Sequence, residues 1–245
     1  MGTESSDNLE ASGRTRNHQV GKNIVLIGNG PSVLNSGLGS VIERMDTVAR
    51  CNLPMVEGFE KDVGSRTDMW MFGSNKRIRG IIDAVDAPET HMVLVCPHNV
   101  KRATKFLKRL RALYTQRGMT FDWLKDAPRI EARYASNMTR RQRLTCGAGA
   151  IVHIRHTYPD SHIYLHGFDF VCSDNPSRLH YWDPKERGLH GAHSITKEAV
   201  YIEELISAGH VSVLTADSLG EKNDIHTRMS TYIDQLPNST NTEET

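Results

Sequence analysis

Ile24-Val-Leu-Ile-Gly-Asn-Gly-Pro-Ser32 is the stretch that decides the fold. Four consecutive apolar residues leave no side for water, so Ile24 to Ile27 reads as a strand buried within a sheet and ended by Gly28. Gly28 and Gly30 allow positive φ and let a ligand come close to the backbone. A helix beginning just beyond would aim its N–H groups at an anion. Asn29 adds an amide able to bond a phosphate, a ribose or a base.

Outward from this turn, short apolar runs alternate with helical patterns. Strands are expected at Thr47 to Ala49, Met69 to Phe72, His91 to Cys96, Ile163 to Leu165 and Val211 to Leu214, and helices at about 36–44, 99–116, 148–157 and 194–208. Strands separated by helices make βαβ units, which predict an α/β, Rossmann-like, mostly parallel sheet with helices on both faces. Such sheets bind ligands at the carboxyl ends of their strands. The turns to watch are therefore Gly28 to Ser32, Arg50 to Leu53, Gly73 to Asn75 and Gly167 to Phe170. Residues 1–22 and 237–245 are rich in small polar residues and read as flexible tails around a single domain at 23–236.

The 245 residues suffice for one large domain with its own core. A formal net charge of +1 sets up no global field toward nucleic acid or a membrane. No run approaches the ~20 apolar residues of a membrane span, and residues 1–22 hold no apolar stretch of the signal-peptide kind. Cys51, Cys96, Cys146 and Cys172 are widely spaced, match no zinc pattern and read as reduced, mostly buried thiols.

Taken alone, the first glycine turn is open to two readings. One is a plain strand-to-helix turn. The other is a nucleotide site, either in an oxidoreductase of the NAD type or in a bare nucleotide-binding module. The dinucleotide pattern is incomplete, because Val33 stands where the third glycine belongs and the second strand ends in Arg50-Cys-Asn52 with no acidic ribose ligand. No Walker A motif occurs.

The turn has company. With Leu38-Gly39, Asp46-Thr-Val-Ala-Arg-Cys-Asn-Leu53 and Val56-Glu-Gly-Phe-Glu-Lys-Asp-Val-Gly-Ser-Arg-Thr67, it resembles the large sialylmotif of the animal-type sialyltransferases, glycosyltransferase family 29. Its Gly-Asn-Gly-Pro-Ser opening is also similar to the bacterial family 42 sialyltransferases. Arg143-Leu-Thr-Cys-Gly-Ala-Gly149, with Gly167-Phe-Asp-Phe170, resembles the small motif. His180-Tyr-Trp-Asp183 resembles the third motif and His193-Ser-Ile-Thr-Lys-Glu198 the very small one. All four stand in the family's order. The resemblance implies a variant GT-A fold and inverting transfer of a sialic-acid-type sugar from a CMP donor to a glycan or glycolipid hydroxyl. It assigns donor binding to Gly28, Asn29, Gly30, Ser32, Asn52, Thr145, Gly147 and Tyr181, with Gly149 an alternative register for Gly147. A CMP-Kdo-dependent transferase shares the CMP, the carboxylate and the tertiary anomeric carbon, and stays open.

Such a transfer needs a group to take the acceptor's proton and donors for the departing phosphate. A histidine neutral near pH 7 suits the first task. The resemblance gives that role to His193, and assigns His180 with Tyr181 to the leaving phosphate. Glu198 is expected to orient the local structure. A CMP donor carries one phosphate and the chain has no Asp-x-Asp, so the expected site holds no metal and no cofactor beyond the donor as co-substrate.

Lys101, Arg102, Lys105, Lys108, Arg109 and Arg111 fall on one expected helix. That helix, 101–111, reads either as a solvated charged face or as a peripheral contact with an anionic acceptor or lipid headgroups. The animal enzymes tie their large and small motifs with a disulfide. Here Ile24 and the segment from Thr157 to Asp160 occupy those positions, so that bridge is absent. With the lack of a signal or span, this predicts a cytoplasmic protein, the alternative being the soluble part of a truncated Golgi enzyme.

Overall fold

A computed structural model describes residues 20–73, 90–96, 121–123, 144–169, 180–182 and 195–219. The described strands are β1 (Asn23–Ile27), β2 (Thr47–Cys51), β3 (Met69–Gly73), β4 (His91–Cys96), β5 (Phe121–Trp123), β6 (His162–His166) and β7 (Val211–Val213). The described α-helices are α1 (Gly39–Glu43), α2 (Glu60–Val63), α3 (Cys146–Thr157) and α4 (Ile195–Ser207). The strands form one sheet in the order β5-β4-β3-β2-β1-β6-β7, and every pairing is parallel. This is the expected Rossmann-like architecture.

The central place of β1 explains its uninterrupted apolar run. It is flanked by β2 and β6, and Ile24, Val25, Leu26 and Ile27 are all buried. Successive residues point to opposite faces. Ile24, Leu26, Ala49, Met71, Val93 and Leu165 share one cluster with Ile151 and Ile154 of α3 and Ile202 and Leu205 of α4. Each such aliphatic side chain contributes roughly 1.5–3 kcal/mol when fully buried. The opposite face carries Arg50 and His166, whose side chains reach the backbone of α2 and the residue after it.

Two expectations change in detail. The helix expected at 36–44 is a 3-10 turn at Pro31–Val33 followed by the short α1. Asn35 and Gly37 lie between them at φ 63 and 66, and Asp62 accepts from both their N–H groups at 2.9 Å. Edge strand β5 was not foreseen, because three residues are too few to display a period. The helix expected at 99–116 lies outside the described residues.

The chain divides into two compact units, Met1–Leu214 and Thr215–Thr245. The first already engages Gly21 and Lys22, assigned above to the tail: Ser161 Oγ donates to Gly21 O at 2.9 Å and His162 N to Lys22 O at 2.7 Å. The second is described only over 215–219, a turn in which Thr215 N donates to Ser218 Oγ at 2.8 Å. From β1 the sheet grows through β2 to β5 on one side and through β6 and β7 on the other. The carboxyl ends of β1 and β6 therefore form the switch point where ligands of open α/β sheets bind.

Candidate functional site

At the switch point the first glycine turn lies directly on the turn after β6. Gly28 N donates to His166 O at 2.7 Å and Gly30 N to Gly167 O at 3.0 Å. A Cβ on Gly28 would stand 2.3 Å from Gly167 O, so the neighbouring turn itself demands the glycine. Asp169 closes the arrangement. Its Oδ2 accepts from Ser32 N at 3.0 Å and its Oδ1 from Ser32 Oγ. The place where this turn would hold an anion is thus taken by a carboxylate of the protein.

Asn29 and Asn52 stand at adjacent strand ends. Asn29 Nδ2 donates to Cys51 O at 3.0 Å. Asn52 has φ 52, a left-handed conformation that asparagine tolerates better than most residues. It is held there by Asn52 N to Met71 O at 2.7 Å, by Trp70 Nε1 donating to its carbonyl, and by Gly73 N donating to its Oδ1 at 3.2 Å. The side-chain carbonyl is therefore spent on β3.

The second glycine turn opens α3. Thr145 is its N-cap, with Oγ1 accepting from Ala148 N at 3.2 Å. Gly149 N donates to Thr145 O at 3.0 Å, so Gly149 is inside the helix and Gly147 is the glycine of the first turn. The N–H groups of Cys146 and Gly147 carry no hydrogen bond among the described residues. A Cβ on Gly147 would stand 2.7 Å from the Phe168 ring, and that ring lies 3.2 Å from the same point on Gly28. Phe168 is thus wedged between the two turns and brings them together.

Glu198, in the first turn of α4, locks the second turn. Thr145 N donates to its Oε1 at 2.7 Å and Thr145 Oγ1 to its Oε2 at 2.6 Å. Burial raises the carboxyl from 4.5 to about 7, against the lowering effect of both Thr145 bonds. The sequence indicated an orienting role, and the structure identifies its object as the cap of α3.

The segment 180–182 completes the described part. Tyr181 N donates to Asn29 O at 2.9 Å, and its hydroxyl donates to Met55 O. Its ring meets Phe59 edge-on at 4.9 Å. Burial pushes the Tyr181 hydroxyl up to about 12, so it stays protonated. His180 stacks on Trp182 at 5.0 Å. His193 lies outside the described residues. So does the basic helix 101–111.

Several residues escaped the sequence reading because their partners are distant in the chain. Arg50 is 1% exposed, and its guanidinium donates to Val63 O, Gly64 O, Arg66 O and Thr67 Oγ1 at 2.8–3.0 Å. Burial lowers it to about 10, which still leaves it charged at neutral pH. Glu43 accepts from the Ser65 hydroxyl at 3.0 Å and from Arg66 N at 3.2 Å. The only signal for Arg50 was a charge inside an otherwise apolar strand.

The comparisons with known proteins agree with this geometry. A family model described as glycosyltransferase family 29 (sialyltransferase) matches residues 4–133, more than half of the chain. The chain belongs to glycosyltransferase family 29.

A CMP-N-acetylneuraminate-beta-galactosamide-alpha-2,3-sialyltransferase 4 from Mus musculus is 27% identical over 215 residues, covering 78% of this chain and 63% of the relative. A type 2 lactosamine alpha-2,3-sialyltransferase from Pan troglodytes is 24% identical over 223 residues, covering 80% and 65%. The chain thus spans less than two thirds of these curated relatives. A crystal structure of a mammalian sialyltransferase superposes with TM-score 0.59 at 21% identity, over 79% of this chain and 69% of that one, which supports the variant GT-A fold. The cytoplasmic location expected from the sequence does not stand. The family-29 relatives are Golgi enzymes. In family-29 terms, Arg50, Asp62 and Glu43 show that much of the large motif is scaffold. Glu198 joins the very small motif to the small one.

Proposed function

We propose that this chain transfers a sialic-acid-type sugar from a CMP donor to a glycan hydroxyl, with inversion at the anomeric carbon. The observation that carries this reading is the convergence of Asn29, Asn52 and the first turn of α3 at the carboxyl ends of β1, β2 and β3. The Asn29 and Asn52 amides are suited to the cytidine. The single phosphate suits the N–H groups of Cys146 and Gly147, where the helix dipole favours negative charge. One phosphate needs no bridging metal, so the donor is held by N–H, hydroxyl and imidazole groups.

His193 precedes α4 by two residues and would take the acceptor proton as the hydroxyl attacks. The sugar–phosphate bond breaks on the opposite face, through an oxocarbenium-like transition state. His180 lies next to the Tyr181 strap and would donate to the departing phosphate. Tyr181 itself acts as a brace, since its hydroxyl is engaged by Met55 O. The basic run at 101–111, known here only from its sequence, would be the part of the chain to meet an anionic acceptor or its lipid. The relatives' names make a β-galactoside the first acceptor to try.

The test pairs binding with turnover. CMP should raise the melting temperature in EDTA. His193→Ala should cut transfer from CMP-N-acetylneuraminate by ~10²–10⁴ while CMP affinity stays within a few fold. Stabilisation by NAD but not CMP, loss of CMP binding in EDTA, or near-normal turnover of His193→Ala would each overturn the reading.

A further inference from the structure

Two cysteines from opposite ends of the sequence meet beneath the site. Cys51 is the last residue of β2 and Cys146 the first of α3. Both are buried in the same core cluster, 4% and 8% exposed, and both are thiols in the structure. Cys51 pairs with Met71 in the β2–β3 register, and the Cys146 thiol donates to Met71 O at 3.3 Å. Asn52 N donates to the same Met71 O at 2.7 Å, so the Cys146 thiol and the residue after Cys51 share one acceptor. The neighbours on either side matter. Asn52 follows Cys51 and Thr145 precedes Cys146, so the pair joins the end of β2 to the start of α3, the two segments that converge on the site.

We propose that Cys51 and Cys146 close to an intrachain disulfide that clamps the carboxyl end of β2 to the first turn of α3. The oxidant is a low-molecular-weight or protein disulfide, RSSR. One cysteine thiolate attacks RSSR, forming a mixed disulfide and releasing RSH. The second thiolate attacks the cysteine sulfur of that mixed disulfide and releases the second RSH. One S–S bond is made and one is broken. The two cysteines lose two electrons and two protons, and RSSR is reduced by the same amount.

The attacking species is the thiolate. Burial pushes the Cys146 thiol well up and works against it in the folded core. The bond therefore forms while the chain folds, before the core shuts, and then resists reductant. The inference bears on the proposed donor site, but its test reads a covalent bond and does not depend on the activity.

The full chain, refolded in a mixture of reduced and oxidised glutathione, is denatured and alkylated without reductant. Peptide mass mapping should find Cys51 joined to Cys146, with the mass loss of two hydrogen atoms, and Cys96 and Cys172 alkylated. The variant Cys96→Ser/Cys172→Ser should keep the link. Cys51→Ser/Cys146→Ser should remove it. Reduction during unfolding should lower the melting temperature by about 10 °C in the wild type and leave Cys51→Ser/Cys146→Ser unmoved, as expected for a bridge closing a long loop in a domain of this size. A link through Cys96 or Cys172 would overturn the proposal. So would alkylation of all four cysteines, or retention of both thiols in refolded Cys96→Ser/Cys172→Ser.

Discussion

The two glycine turns look alike in sequence and are used in opposite ways. Gly28-Asn-Gly30 is filled by the protein: Gly167 O lies against Gly28, and Asp169 occupies the N–H and hydroxyl of Ser32. Thr145-Cys-Gly147 opens a twelve-residue helix, and its first two N–H groups carry no bond among the described residues. A Gly-x-Gly pattern reports that something approaches the backbone closely. Whether that something is a ligand or another turn depends on what the fold brings alongside.

The sharpest way to break this contrast is Gly28→Ala. Its new methyl would meet backbone, which cannot swing aside, so a loss of about 3 kcal/mol is expected in urea unfolding. Gly147→Ala meets the Phe168 ring instead and should cost about 1–2 kcal/mol less. Equal losses would mean that the two turns are packed alike.

Glu198 supplies the next effect. Glu198→Ala strands the Thr145 N–H and should cost about 2–3 kcal/mol, whereas Glu198→Gln can keep both contacts and should cost less than about 1 kcal/mol. The pH dependence sharpens the same point. The folded protein holds the Glu198 proton up to about 7, while the unfolded chain releases it near 4.5. Unfolding therefore releases a proton within that window, and stability falls as pH rises through it. Relative to Glu198→Gln, the wild type should lose about 2 kcal/mol between pH 4.5 and 7.5. A flat difference would show that the carboxyl is not buried in its neutral form.

Smaller effects separate the turns as binding sites. Thr145→Val should weaken CMP about tenfold, or ~1.4 kcal/mol, by loosening the cap beside the phosphate position. Ser32→Ala should cost about 1 kcal/mol of stability, because it breaks the tie to Asp169, and change CMP affinity less than about twofold. Calorimetric titration of both variants decides the matter. If Ser32→Ala weakens CMP as much as Thr145→Val, the first turn opens for the donor and Asp169 is only a placeholder.

Much of this was legible in one dimension. The apolar run Ile24 to Ile27, bounded by glycine, announced a central parallel strand, since a strand covered on both faces has no polar side. The order of four motifs announced the family. Gly28, Asn29, Asn52, Thr145 and Gly147 do converge, as their places at strand ends and a helix start implied. What escaped were pairings: Ser32 with Asp169, Thr145 with Glu198, Tyr181 with Asn29 and Met55, and Cys146 with Met71.

The sequence by itself determined the secondary structure around the site, because glycine, asparagine and apolar runs act on the backbone within a few residues. Only the tertiary structure decided which partner each polar group takes. Ser32 and Asp169 are 137 residues apart, and Arg50 meets carbonyls 13 to 16 residues away. A buried donor or acceptor must find a partner, but its identity is set by which strands lie side by side, and that is a property of the packed sheet.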